Sequence, residues 1–103
     1  MNYPINYPRR ILGTTDVEVT ATAVIFKLPN QAFAYTGARG VMLISITHAA
    51  PAGTTQTLPV LFEANNVTQG ASVAGGESLQ LSALSTGVYQ FYFDKTTNTL
   101  QLL

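Results

Sequence analysis

The side chains able to do acid–base, nucleophilic or metal chemistry are few and far apart. His48 is the only histidine, cysteine is absent, and the carboxylates Asp16, Glu18, Glu63, Glu77 and Asp94 stand singly along 103 residues. A catalytic imidazole needs a nucleophile within reach and a carboxylate to orient it. His48 instead stands where an apolar run gives way to Ala49-Ala50-Pro51, so it is expected to be an ordinary strand-end histidine. No two acids have the spacing of a calcium loop or of the paired carboxylates of a glycosidase. Without cysteine there is no disulfide, thiolate metal site or cysteine nucleophile. The glycines between Gly70 and Gly76 lack the lysine and the strand-to-helix setting of a phosphate loop. The expectation is a non-enzymatic protein with no catalytic residue, no metal, no cofactor and no small-molecule substrate.

Charge is scarce as well. Charged residues make up 10% of the chain, against about 25% in ordinary soluble domains. Net charge is zero and Arg9-Arg10 is the only adjacent basic pair, so no long-range field draws in nucleic acid or an anionic surface. The start of the chain does not read as a secretory signal, and no apolar run is long enough to cross a bilayer. A soluble, cytoplasmically made protein is therefore expected. A charge-poor surface near zero net charge promotes association, which directs attention to self-assembly. Asn66-Val67-Thr68 matches a glycosylation acceptor, and with no signal segment the match is read as accidental.

The elements that position these residues read as strands. Tyr89, Phe91 and Phe93 alternate through Gly87–Asp94, a polar turn follows, and Leu100 and Leu102 resume the alternation, which describes a β-hairpin with one strongly apolar face. Asp94 and Asn98 suit the turn between its strands, where short polar side chains cap backbone donors and tolerate unusual backbone angles. Asp16–Leu28 reads as one long strand with Val17, Val19, Ala21, Ala23 and Ile25 on its core face. Val41–His48 reads as a central strand, and Thr57–Ala64 as a strand whose Pro59 places it at an edge or gives it a bulge. Asn65-Asn66 reads as a turn, Gly70–Gly76 as a flexible loop, and Gln31–Thr36 as a short strand. Glu77–Leu81 alternates as a strand would, although Leu81 and Leu84 also suit one helical turn. Seven or eight short strands with turn signals between them predict an all-β fold, an antiparallel β-sandwich or small β-barrel. Its core positions are expected to include Ile44, Ile46, Val60, Phe62, Tyr89, Phe91 and Phe93.

Two features point to partners. The opening Asn2-Tyr3-Pro4 and Asn6-Tyr7-Pro8 form a near-repeat in which each proline holds the preceding tyrosine extended. Residues 1–13 are therefore read as an extended N-terminal arm and residues 14–103 as a single β domain. In the arm Tyr3, Ile5 and Tyr7 supply apolar contact and Arg9 and Arg10 supply charge pairing. The second feature is the set Val24, Phe26, Val41 and Leu43, which occupies the second faces of strands whose first faces already fill the core and so predicts an interface. A homo-oligomer is expected, as a trimer or as one element of a lattice. The tyrosines Tyr3, Tyr7, Tyr35 and Tyr92 also suit a sugar-stacking platform, which gives the alternative of a small carbohydrate- or protein-binding β module.

The closing region, Ser85-Thr86-Gly87-Val88-Tyr89 followed by Phe91-Tyr92-Phe93-Asp94 and Leu100-Gln101-Leu102-Leu103, resembles the end of small β-structured virion proteins of tailed bacteriophages. The resemblance covers the last half of the chain and rests on the hairpin pattern and composition. It implies a structural role, as a capsid decoration or auxiliary protein, a head-fibre component or a tail module. The implied partners are further copies of the chain and a major capsid or other virion protein, with the virion as its location. It implies no catalytic residue, and the Asn-Tyr-Pro arm lies outside it.

Overall fold

The computed structural model describes residues 11–30, 32, 39–94 and 96–103. Among them eight strands form one mixed sheet: β1 (Ile11–Gly13), β2 (Asp16–Val19), β3 (Val24–Lys27), β4 (Arg39–Ile46), β5 (Val60–Ala64), β6 (Val67–Ser72), β7 (Gly87–Asp94) and β8 (Thr99–Leu102). The strand order is β1-β4-β7-β8-β6-β5-β3-β2, and the sheet curls into a half-barrel around one apolar core. The all-β architecture is as the sequence implies, and no α-helix occurs among the described residues. The pairing is mixed where an antiparallel sheet was expected. β1–β4, β3–β5 and β6–β8 run parallel, and each joins strands that are not neighbours in the chain. Three hairpins supply antiparallel pairs, β2–β3, β5–β6 and β7–β8, and the eight-residue antiparallel pairing of β4 with β7 completes the sheet.

The two edge strands are consecutive in the chain. β1 pairs with β4 at one edge, β2 pairs with β3 at the other, and only Thr14 and Thr15 lie between them. Thr14 N–H donates to the Ser45 carbonyl at 3.0 Å and Thr15 N–H to the Lys27 carbonyl at 2.8 Å. Adjacent amides thus point to opposite sides, so one kinked stretch fastens both ends of the sheet. The last three residues of the segment read as arm, Ile11–Gly13, are therefore part of the sheet; residues 1–10, with Tyr3, Ile5, Tyr7, Arg9 and Arg10, lie outside the described residues.

Inside the curl, alternate residues of each strand meet. Val24, Phe26, Met42, Ile44, Ile46, Val60, Phe62, Phe91, Phe93 and Leu100 are buried there. Phe62 stands at the centre, with its ring 5.9 Å from that of Phe26 and 5.2 Å edge-on from that of Phe91. Six of the seven expected core positions are fully enclosed, while Tyr89 is half-buried and packs against the core from the sheet's far end.

Several local readings are corrected. The stretch Asp16–Leu28 is a hairpin and not one strand. Thr20 Oγ1 accepts from the N–H groups of Thr22 and Ala23 at 3.3 and 3.0 Å and donates to the Ala23 carbonyl, making a turn without glycine or proline. The turn sets Val17 opposite Phe26 and Val19 opposite Val24, so odd positions of β2 share a face with even positions of β3. Val24 and Phe26, expected on an outward face, consequently fill the core at 0% and 1% exposure.

Pro59 precedes β5, which lies inside the sheet between β3 and β6; its carbonyl accepts from Val24 N–H, and its missing donor falls outside the ladder. Gly70 is a mid-strand residue of β6, and the turn comes later, at Gly75 and Gly76, where φ is 97° and 89°. The segment around Glu77–Leu81 forms isolated bridges and then a 3-10 turn over Leu81–Ala83, the helical alternative for Leu81 and Leu84. Of the Gln31–Thr36 strand, only Ala32 is among the described residues. It is buried, and its N–H donates to the Pro29 carbonyl.

Candidate functional site

The outward face of β1, β4 and β7 is the most distinctive surface. On β4, Met42, Ile44 and Ile46 point inward, which leaves Val41, Leu43 and Ser45 on the outside. Cross-strand partners share a face. Ile11, Leu43 and Gln90 therefore form one outward row, Val41, Tyr92, Gln101 and Ser72 a second, and Ser45 with Val88 a third. Ile11, Val41 and Val88 are 57%, 53% and 55% exposed, while Leu43 and Tyr92 are half-buried among them. Of the four outward apolar positions read from the sequence, the structure keeps Val41 and Leu43, removes Val24 and Phe26 to the core, and adds Ile11, Val88 and Tyr92. The signal for Ile11 was hidden, because a three-residue edge strand carries no periodicity of its own.

The patch ends at the β7–β8 turn. Arg39 Nε lies 3.4 Å from Asp94 Oδ2, closing the row above Val41 and Tyr92. Asp94 Oδ1 accepts from the Thr96 hydroxyl at 2.6 Å and from the Thr96 N–H at 2.9 Å, the capping role expected for it. The Thr96 hydroxyl, more than its N–H or Arg39, holds the Asp94 carboxyl below its ordinary pKa, against some desolvation. Asn98 supplies the left-handed backbone of the turn at φ 55°.

The other outward half of the sheet carries a charged row beside the half-buried pair Ile25 and Leu61. Lys27 Nζ sits 3.0 Å from Glu63 and 3.2 Å from Glu18, across β5, β3 and β2. Hydrogen bonding to Glu63 and then to Glu18 raises the Lys27 pKa above its ordinary value. These charges are paired with one another on the solvent side of the sheet.

His48 lies at the junction of the edge strands. Its Nδ1 is 3.1 Å from Thr14 Oγ1 and 3.0 Å from Thr47 Oγ1. Thr47 donates its hydroxyl proton to the Thr14 carbonyl, and Thr14 Oγ1 accepts from Thr47 N–H. Either the Thr14 hydroxyl donates to the ring or the ring donates to a threonine oxygen. No carboxylate among the described residues hydrogen-bonds to the ring, so the cluster does what its connections describe: it ties β1 to the end of β4.

A shallow cleft of about 500 Å³ lies between Val73, Glu77, Ser78, Gln80, Ser82 and Ala83, with Glu77 its only charged group. Among the described residues no three acidic or imidazole side chains converge as metal ligands. Gln69 is buried at 3% exposure opposite Phe62, and its Oε1 has no hydrogen-bond partner among the described residues. No helix among the described residues is long and apolar enough to span a bilayer. The chain matches no protein-family model, no curated protein and no solved structure.

Proposed function

We propose that the chain is a non-enzymatic structural protein of a virion, a capsid auxiliary or decoration protein that oligomerises and attaches to a tailed-bacteriophage particle. The observation that carries the reading is the outward face of Ile11, Val41, Leu43, Tyr92 and Val88, an apolar surface on a domain whose core is already complete on the other side of the same strands. Exposed apolar surface gathered on one face of a small domain marks an interaction site, and a charge-poor chain disfavours standing alone in solution. The C-terminal hairpin's resemblance to phage virion modules supplies the setting. In this role the rigid half-barrel is a spacer, and its outward sheet face is the adhesive surface toward other copies and a major capsid or other virion protein.

The test has two steps. Capsid or portal genes beside the coding sequence, and co-sedimentation of the tagged protein with particles from a lysate that produces them, are the expected results. A locus without virion genes and a protein that stays in the supernatant would overturn the proposal. The second reading, a small carbohydrate- or protein-binding module, draws on Tyr92, whose ring lies on the outward face beside Gln101. A glycan-array signal that disappears in Tyr92→Ala would favour it over the structural role.

A further inference from the structure

We infer that the outward patch of one copy is the seat for residues 1–8 of a second copy, so that the chain associates by exchanging its N-terminal segment. The inference rests on the assembly reading above and names the partner at that surface.

Direction is the first argument. β1 runs parallel to β4 with Ile11 level with Leu43, so a chain continued backwards in extended form draws level with Arg39, the first residue of β4, at Tyr7. Residues before Tyr7 would then pass the first residue of β4. Proline at positions 4 and 8 favours extended backbone in the residues preceding it. A segment continued in that direction would pass beyond Leu43 and Val88, and the seat then within its reach belongs to another molecule.

Alternation is the second argument. In an extended chain residues two apart share a face, and Tyr3, Ile5, Tyr7 and Arg9 are in phase with the outward Ile11. The segment therefore offers an apolar edge of the same kind as the patch, separated from it by Arg9 and Arg10. Prolines remove donors from a sheet ladder, so the segment is suited to lie across a sheet face by its side chains and poorly suited to extend a sheet edge.

Size is the third. Two tyrosines and an isoleucine bury on the order of 400 Å², and the exposed side chains of the patch offer a comparable area. Counting both surfaces of two reciprocal junctions gives on the order of 1,600 Å², the extent of a stable interface. One junction alone is half that, so association depends on reciprocity or ring closure.

Complementation tests this directly. Full-length Val41→Asp retains the segment and spoils the seat; a chain lacking residues 1–8 retains the seat and lacks the segment. Val41 is 53% exposed and β1 begins at Ile11, so both variants leave the core intact, which circular dichroism checks. By size exclusion with light scattering, the wild type should exceed the 11.0 kDa monomer mass, and each variant alone should be monomeric. An equimolar mixture should form a 1:1 complex through one junction, weaker than wild type by on the order of 100-fold because the second junction's effective concentration is lost. A monomeric wild type at micromolar concentration, undiminished association of the truncated chain, or a mixture that stays monomeric would each overturn the inference. The outcome does not depend on whether the protein reaches a virion, so it fails or stands separately from the proposed role.

Discussion

Replacing Phe91 by alanine probes the centre of the fold. Phe91 is fully buried on β7, flanked by Met42 of β4 and Leu102 of β8, and its ring meets Phe62 edge-on at 5.2 Å. Phe62 belongs to β5 on the opposite wall of the half-barrel, so the substitution opens a cavity where the two walls touch. Buried Phe→Ala changes destabilise by about 3–5 kcal/mol, a range that includes the lost edge-on pair. A domain of this length has a total stability of roughly 5–15 kcal/mol, so the variant is left marginal. The chain has no tryptophan, so unfolding in urea is best followed by far-UV circular dichroism, with Val67→Ala, outside the patch, as an exposed control. The control should lie within about 0.5 kcal/mol of wild type. The Phe91 midpoint should fall by about 2 M at an unchanged slope. A loss below about 1 kcal/mol would mean that the two walls do not meet at this ring, and the account of the core would be refuted.

Three further outcomes are expected. Thr20→Ala removes the hydroxyl that organises the β2–β3 turn and should lower stability by about 1 kcal/mol, while Thr20→Ser should restore it; equal urea midpoints for all three chains would remove the hydroxyl's role. Gln69→Met deletes a buried polar group whose Oε1 has no partner among the described residues, and should raise the urea midpoint by an amount corresponding to about 1 kcal/mol; a fall would show that the amide is satisfied. The folded-state pKa of Asp94 lies below its ordinary 3.8, so its stabilisation is present above that value and is lost as the pH falls through the lower folded-state value. Thermal melts of wild type and Asp94→Asn should therefore converge on acidification, and a gap independent of pH would contradict the assignment.

The turns closed by asparagine and aspartate were legible because their chemistry is local. Asn65 and Asn66 adopt φ of 52° and 64°, angles that few residues other than asparagine and glycine accept, and Asp94 caps its own turn. The inward positions of β5 and β7 were legible from alternation, and Ile44 and Ile46 of β4 from an apolar run that fits a central strand. The turn at Thr20–Ala23 was not, because threonines and alanines continue the alternation of a strand and the hydroxyl bond that bends the chain has no sequence signature. One missed turn then reversed the face of everything after it, which is why Val24 and Phe26 were placed outside. Parallel pairing escaped for a different reason, since it joins strands distant in sequence and depends on closure of the whole sheet. Of the candidate surface, Val41 and Leu43 were found by their apolarity on a strand already full on its other face. Ile11 and Val88 became visible only once register placed them beside those two.

The strand order also dictates when the molecule can exist during synthesis. Hairpins β2–β3, β5–β6 and β7–β8 are local and can form within microseconds. Among the described residues β4 has no other antiparallel partner than β7 and β1 pairs only with β4, so the first half of one wall waits for residues Gly87–Asp94 to leave the ribosome. Until then β4 lacks its antiparallel neighbour and the inward Phe91 and Phe93 that complete the core. Such long-range pairing belongs to the slow end of small-domain folding, in the range of milliseconds to seconds. A nascent chain halted before Gly87 should therefore be protease-sensitive and prone to aggregate, and release of the last seventeen residues should convert it in one cooperative step.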